Sequence, residues 1–138
     1  MITKTELDKL AEKYETKAFI KDDPIQFPHM GKSKEEIELY GFVASLFAYG
    51  NRKLFIKKLD EIFYKADGDL CGFVKNGEFK LLKGVEYRFS KDYDIIPIFD
   101  ILSKLYNESN GLEELFKYSW ENSDCYEQFF QKIVDIPS

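Results

Sequence analysis

Asn51, Arg52 and Lys53 are the residues whose types and spacing best suit the binding of a phosphate group. They follow Gly50 and lie where one predicted helix ends and the next begins. A helix N-terminus carries backbone N–H groups without intrahelical acceptors and a partial positive charge, and basic side chains add to that charge. We therefore predict a nucleic-acid contact at this joint. The alternative is that Asn51 is only an N-cap and that the basic residues after it form a solvated helix face. Spacing alone favours this alternative.

Arg88 is a second candidate for nucleic-acid contact. It follows Tyr87 directly and lies shortly after Gly84. A ring beside a guanidinium group can bind a ligand through both stacking and charge. Tyr-Arg pairs are also common in ordinary loops, so the pair adds only weak support.

Asp23 and His29 mark a possible pocket in the segment that contains Pro24 and Pro28. His29 is the one histidine of the chain, and an imidazole near a carboxylate can act as a general base. One histidine with two nearby aspartates is too irregular a set for a metal site. The alternative, which we favour, is a histidine packed on a proline-rich loop with the carboxylate capping a turn.

Other motifs of common chemistries do not occur in the sequence. It contains no glycine-rich phosphate loop, no metalloprotease or hydrolase signature and no zinc-ligand spacing. Cys71 and Cys125 belong to no C-x-x-C pair and are predicted to be reduced thiols. We therefore expect no metal and no cofactor.

The net charge of −5 disfavours tight nucleic-acid binding by the chain as a whole, so any DNA contact must be local. No stretch approaches the ~18 consecutive apolar residues that a membrane-spanning helix needs. The N-terminus also lacks an apolar signal segment. We predict a cytoplasmic protein without membrane contact.

Helix signals recur along most of the chain. Thr3 with Glu6, and Ser33 with Glu36, have the spacing of capping boxes. Residues 37–47 have apolar and small residues at helical spacing, Gly50 suits a left-handed cap, and Asn51 suits the N-cap of a helix. Further helices are predicted over 93–109, 111–120 and 124–136.

Two segments are harder to assign. The prolines of residues 19–30 argue against a long helix, so we predict an extended run across the surface. Residues 78–89 fit either a short β-hairpin or a short helix stopped by Gly84 and followed by an extended run, and we favour the helix. The predicted fold is thus a single all-α domain, 1–138, of about six or seven helices.

The sequence resembles an uncharacterised bacterial family, a domain of unknown function. The family pattern D-P-I-x-x-P-H, followed by a helix that ends in A-W/Y-G-N-R-K, is matched over residues 23–53. Tyr49 departs from it, since tryptophan is more usual there. The matching positions include Asp23, Pro24, Ile25, Pro28, His29, Gly41, Phe42, Ala44, Ala48, Gly50, Asn51, Arg52 and Lys53.

The layout is also distantly similar to that of helix-hairpin-helix DNA glycosylases. This similarity implies a role related to DNA repair, with Asn51 and Arg52 at a joint that probes the duplex. It also implies that the chain is the N-terminal part of a longer architecture, with the hairpin and catalytic aspartate beyond Ser138. The chain would then have no catalysis of its own. The alternative hypothesis is a non-enzymatic helical module that binds a protein partner or forms a homodimer.

Overall fold

The computed structural model describes residues 2–109, 111–125 and 127–128, which form seven α-helices and three short 3-10 helices. The α-helices are α1 (Lys4–Tyr14), α2 (Lys17–Ile20), α3 (Lys34–Phe47), α4 (Arg52–Lys65), α5 (Leu70–Asn76), α6 (Asp92–Glu108) and α7 (Leu112–Glu121). The 3-10 helices are Pro24–Gln26, Pro28–Met30 and Phe79–Leu82. No β-strand occurs among these described residues, so the all-α prediction is confirmed.

Helix α3 lies at the centre of the fold and contacts α4, α5, α7 and the two 3-10 helices before it. Its buried face contains Leu39, Val43 and Phe47, which recur every fourth residue as expected for one face of a helix. Phe55, Leu59, Ile62 and Phe63 of α4 and Ile95, Phe99, Leu102, Leu105 and Tyr106 of α6 belong to the same core. The capping box of Ser33 and Glu36 begins α3 as the sequence predicts.

Residues 24–30 do not run extended across the surface, and that prediction was wrong. Each proline lies in the first turn of a 3-10 helix, where its missing N–H leaves no bond unmade. The two short helices place Phe27 in the core with 1% of its surface exposed, against the Phe63 ring at 5.0 Å. Burial of the Phe27 ring therefore holds this proline-containing segment against the core, although its sequence pattern predicts a surface run.

Within residues 78–89 a short 3-10 helix, Phe79–Leu82, forms in place of the first strand of a β-hairpin, so the helix that we favoured is confirmed. Phe79 and Leu82 of the 3-10 helix are buried, and Gly84 follows with φ of +80°. The backbone then turns at Tyr87 and Ser90, which form the one isolated β-bridge in the described residues. The predicted final helix, 124–136, lies outside the described residues apart from its first few positions.

Helix α1 is separate from the core. Its capping box of Thr3 and Glu6 is present as predicted, yet none of its residues is buried. The apolar side chains Leu7, Leu10 and Tyr14 of this helix are therefore open to solvent. In the described part of the chain, no helix is long and apolar enough to cross a membrane.

Candidate functional site

Asn51 begins α4 as a side-chain cap. Its Oδ1 accepts hydrogen bonds from the backbone N–H of Lys53 at 3.1 Å and of Leu54 at 3.4 Å. Asn51, Arg52 and Lys53 are all exposed, as predicted for the joint. Because Asn51 already occupies two N–H groups of the first turn, an anion here must be bound mainly by side chains.

A tight turn from Tyr87 to Ser90 presents Arg88. The backbone N–H of Tyr87 donates to the Ser90 carbonyl at 2.9 Å, and the Ser90 N–H donates back to Tyr87 at 3.0 Å. Arg88 adopts φ of +54° in this turn, a left-handed conformation that favours glycine. An arginine at this position is therefore held against its backbone preference.

Two tyrosines join this turn to the loop between α3 and α4. The Tyr87 hydroxyl donates to the Tyr49 carbonyl at 2.5 Å, and the Tyr49 hydroxyl donates to the Tyr87 carbonyl at 3.2 Å. The Tyr49 hydroxyl also lies 3.3 Å from the Ser90 Oγ, and the two rings meet edge to face at 5.0 Å. We call this pair of reciprocal contacts the tyrosine clasp. It fixes two loops that are distant in the sequence.

The clasp brings Arg88 against Gly50. A Cβ added to Gly50 would overlap Arg88 Nη1 and would lie 3.1 Å from Cζ and 3.2 Å from Cδ. The guanidinium group therefore lies directly on the Gly50 backbone, in the space that the Cβ of any other residue would occupy. Gly50 also has φ of +83°, so glycine is favoured there for conformational reasons too. The structure thus unites the two segments that the sequence presents as separate candidates.

We call the exposed residues Asn51, Arg52, Lys53 and Arg88 the arginine surface. Arg52 and Arg88 are the two arginines of the whole chain, and every other basic residue except His29 is a lysine. Arginine binds phosphate through two parallel hydrogen bonds, which lysine cannot match. Both arginines of the chain therefore belong to this surface.

The acidic residues near the turn are bonded to other groups. Glu86 pairs with the Lys91 ammonium at 2.5 Å, and this hydrogen bond and charge raise the pKa of Lys91. The Asp92 carboxylate accepts from the Gly84 N–H at 2.8 Å, and that of Asp94 accepts from the Lys91 N–H at 2.9 Å. Each of these three carboxylates is therefore engaged by a donor of the protein itself.

Asp23 and His29 belong to two different 3-10 helices. Asp23 Oδ1 accepts from the Ile25 N–H at 3.0 Å and so caps the first 3-10 helix, as the favoured alternative expects. His29 is exposed on the second 3-10 helix, so it is not packed into a loop. A shallow groove beside α3 is lined by Asp23, Pro24, Ile25, Pro28, Gly41, Ala44, Ser45 and Ala48, without His29. Among the described residues, no group of three or more His, Cys, Asp and Glu side chains could hold a metal ion.

Comparison with known families settles the membership of the chain. A family model described as "Protein of unknown function (DUF2400)" matches residues 23–136, which include both halves of the arginine surface. The chain belongs to the DUF2400 family. No curated protein and no solved structure matches it. The resemblance to an uncharacterised family is thereby confirmed, and the description of DUF2400 assigns no activity.

Both clasp residues lie within the DUF2400 match, and pattern analysis gave neither of them a structural role. Tyr49 stands in the A-Y-G-N-R-K segment and Tyr87 precedes Arg88, so each appears beside a candidate residue. Their pairing over 38 positions has no local sequence signal. Helices α1 and α2, by contrast, precede the DUF2400 match.

Proposed function

We propose that this DUF2400 chain is a nucleic-acid-contacting helical domain with a role related to DNA repair and no catalysis of its own. The arginine surface would contact the phosphate backbone, with Arg52 and Arg88 as the main ligands. The similarity of layout to helix-hairpin-helix DNA glycosylases favours a duplex that carries a lesion as the target.

The packing of Arg88 against Gly50 is the observation that supports this proposal most. It brings both arginines of the chain within two residues of the same backbone position. Arginine side chains normally have wide conformational freedom, which binding must restrict at a cost in entropy. Contact with Gly50 and the fixed turn reduces that cost before any ligand arrives.

The overall charge sets the expected character of binding. A chain with net charge −5 repels DNA except at its basic surface, so few phosphates are contacted and salt weakens the complex. Each phosphate contact contributes roughly −0.9 to the slope of log affinity against log salt for duplex DNA. Contacts by Arg52, Lys53 and Arg88 would give a slope of about three times that value.

A salt-dependent anisotropy titration tests the proposal. The ligand is a fluorescent duplex with one abasic site, and the proteins are the wild type, Arg52→Ala and Arg88→Ala. We expect each variant to bind more weakly and to lower the salt slope by about one phosphate equivalent. Lys104→Ala is the control, since Lys104 is exposed on α6, away from the joint that begins α4. Absence of binding, or equal effects of all three substitutions, would refute the proposal.

The open face of α1 supports a second candidate function, a module that binds a protein partner or a second copy. Leu7, Leu10 and Tyr14 are all exposed, and Tyr14 meets the Phe19 ring of α2 at 5.5 Å in an edge-to-face contact. Apolar helix faces of this kind are typical of association surfaces. Light scattering of the wild type and of Leu10→Glu over a range of concentrations tests self-association. A wild-type monomer at every concentration would exclude the homodimer.

A further inference from the structure

Phe89 is an exposed aromatic ring at the tip of the turn that presents Arg88. Its side chain is 84% exposed, although burial of a phenylalanine stabilises a protein by about 2–3 kcal/mol. Single exposed apolar residues are common on protein surfaces. The position of Phe89 is what distinguishes it, because it follows Arg88 in the turn that packs against Gly50.

The backbone that carries the ring is held by hydrogen bonds on both sides. Ser90, the next residue, is bonded to Tyr87 through the backbone and lies beside the Tyr49 hydroxyl in the tyrosine clasp. The Arg88 guanidinium carbon lies 5.7 Å from the centre of the Phe89 ring, within the range of a cation–π contact. Arg88 therefore contacts Gly50 through its side chain and approaches one face of the Phe89 ring.

A flat ring beside Arg88, on a turn packed against Gly50 and so near the start of α4, matches the chemistry of an unpaired base with its phosphates. Bases in a duplex are covered on both faces by their neighbours, whereas an unpaired base can leave the stack and lie on an aromatic side chain. Such stacking contributes about 1–3 kcal/mol per base and accepts every base type. Phosphate contacts alone give no means to distinguish paired from unpaired nucleic acid.

We propose that the arginine surface and Phe89 together recognise nucleic acid at an unpaired base. Arg52, Lys53 and Arg88 bind the flanking phosphates, and the base stacks on the ring face of Phe89 opposite Arg88. This inference rests on the proposed function and adds the structural class of the ligand.

Three ligands of equal length test the inference by anisotropy with the 138-residue chain. They are a fully paired duplex, the same duplex with one bulged nucleotide, and one of its strands alone. We expect the bulged duplex and the single strand to bind at least about 5-fold more tightly than the paired duplex, from the lower limit of the stacking energy. Phe89→Ala should remove this preference without weakening the paired complex, and Phe89→Trp should retain it.

Tyr64→Ala is the matched control because Tyr64 is another highly exposed ring, 86% exposed on α4. This variant should bind all three ligands as the wild type does. Equal binding of the three ligands by the wild type, or an equal loss for all three in Phe89→Ala, would overturn the inference and leave the proposed function standing. Failure to bind any ligand would overturn both. Circular dichroism of each variant excludes unfolding as the cause.

Discussion

The Tyr49 and Tyr87 side chains each donate a hydrogen bond to the backbone carbonyl of the other residue. Tyr87 is 5% exposed, whereas Tyr49 remains partly accessible. The buried ring therefore anchors the loop between α3 and α4, and the accessible ring holds the turn at Ser90. Loss of either hydroxyl loosens the same junction between two loops.

Tyr87→Phe should lower the free energy of unfolding by about 1 kcal/mol, since it removes one hydrogen bond and keeps the ring. Tyr49→Phe removes the reciprocal bond and should cost a similar amount. Because both bonds hold the same two loops, the double variant should lose less than the sum of the single losses. Urea unfolding of the four proteins measures this coupling. Additive losses would contradict it, and Tyr64→Phe at the exposed ring should change little.

Gly50→Ala should displace Arg88. An alanine in the left-handed conformation destabilises the folded state by about 1–2 kcal/mol. Gly84→Ala should lose the same amount of stability, because φ at Gly84 is +80°. The two sites differ in their surroundings, since an added Cβ meets Arg88 at Gly50 and nothing within 4 Å at Gly84. We expect similar losses of stability but a changed Arg88 environment only in Gly50→Ala.

The Nε–H NMR signals of the side chains report this displacement without any ligand. The chain has two arginines, so the two signals are readily assigned with Arg52→Lys. The Arg88 signal should shift in Gly50→Ala and stay in place in Gly84→Ala. An unshifted signal in both variants would show that Arg88 does not rest on Gly50.

Replacement of Arg88 should reverse the usual order of alanine and glycine. Glycine is normally the less stable choice, because it gains more freedom in the unfolded chain. At φ of +54° alanine pays the cost of the left-handed conformation and glycine does not. Arg88→Gly should therefore be more stable than Arg88→Ala by about 1 kcal/mol. Thermal unfolding of both variants gives the order of their stabilities. A glycine variant less stable than the alanine variant would show that the backbone at Arg88 is not strained.

Much of the fold was predictable because its helices carry local signals. The capping boxes at Thr3 and Ser33 and the Asn51 cap are formed by residues at most three positions apart, and each lies where the sequence indicates. Residues 24–30 were misassigned because their structure depends on burial of Phe27 against Phe63, a contact over 36 positions that no local pattern shows.

The candidate site was predictable only in part for the same reason. Asn51, Arg52, Lys53 and Arg88 were identified by residue type, and all four are exposed in the structure. Their convergence depends on the tyrosine clasp, which joins residues 38 positions apart. Phe89 was not among the predicted site residues, because its significance comes from the turn that exposes it.

Glu38 of α3 acts as a distant cap for α7. Its carboxylate accepts from the backbone N–H of Leu112 at 2.7 Å and of Glu113 at 2.8 Å, and from the Tyr106 hydroxyl at 2.6 Å. Gly111 at the N-cap supplies no side chain for this purpose. Glu38→Gln should lower the free energy of unfolding by about 2–3 kcal/mol. The charge-assisted hydrogen bonds are lost, and the new side-chain NH2 group faces N–H or O–H donors that it cannot accept from.

Chemical denaturation of Glu38→Gln and Glu35→Gln compares this cap with a surface pair. Glu35 pairs with Lys75 at 2.6 Å where both side chains are partly exposed, and such pairs contribute at most about 1 kcal/mol. Equal losses in the two variants would mean that Glu38 does not cap α7.

Stability should fall at alkaline pH through Tyr106. Burial of the side chain, followed by its hydrogen bond to Glu38, raises the pKa of Tyr106 above its ordinary value of 10. The folded state therefore keeps a proton that the unfolded state releases, so the stabilisation is complete below pH 10 and is lost as pH rises beyond it.

Urea unfolding from pH 8 to 12 should show a shallower decline of stability in Tyr106→Phe than in the wild type. Lys34, Lys75 and Lys91 also have raised pKa values, so their stabilising contribution is likewise lost as pH rises. Both proteins share that loss, so the difference between their pH profiles isolates Tyr106. Parallel declines would show that the hydroxyl ionises as readily in the folded state as in the unfolded chain.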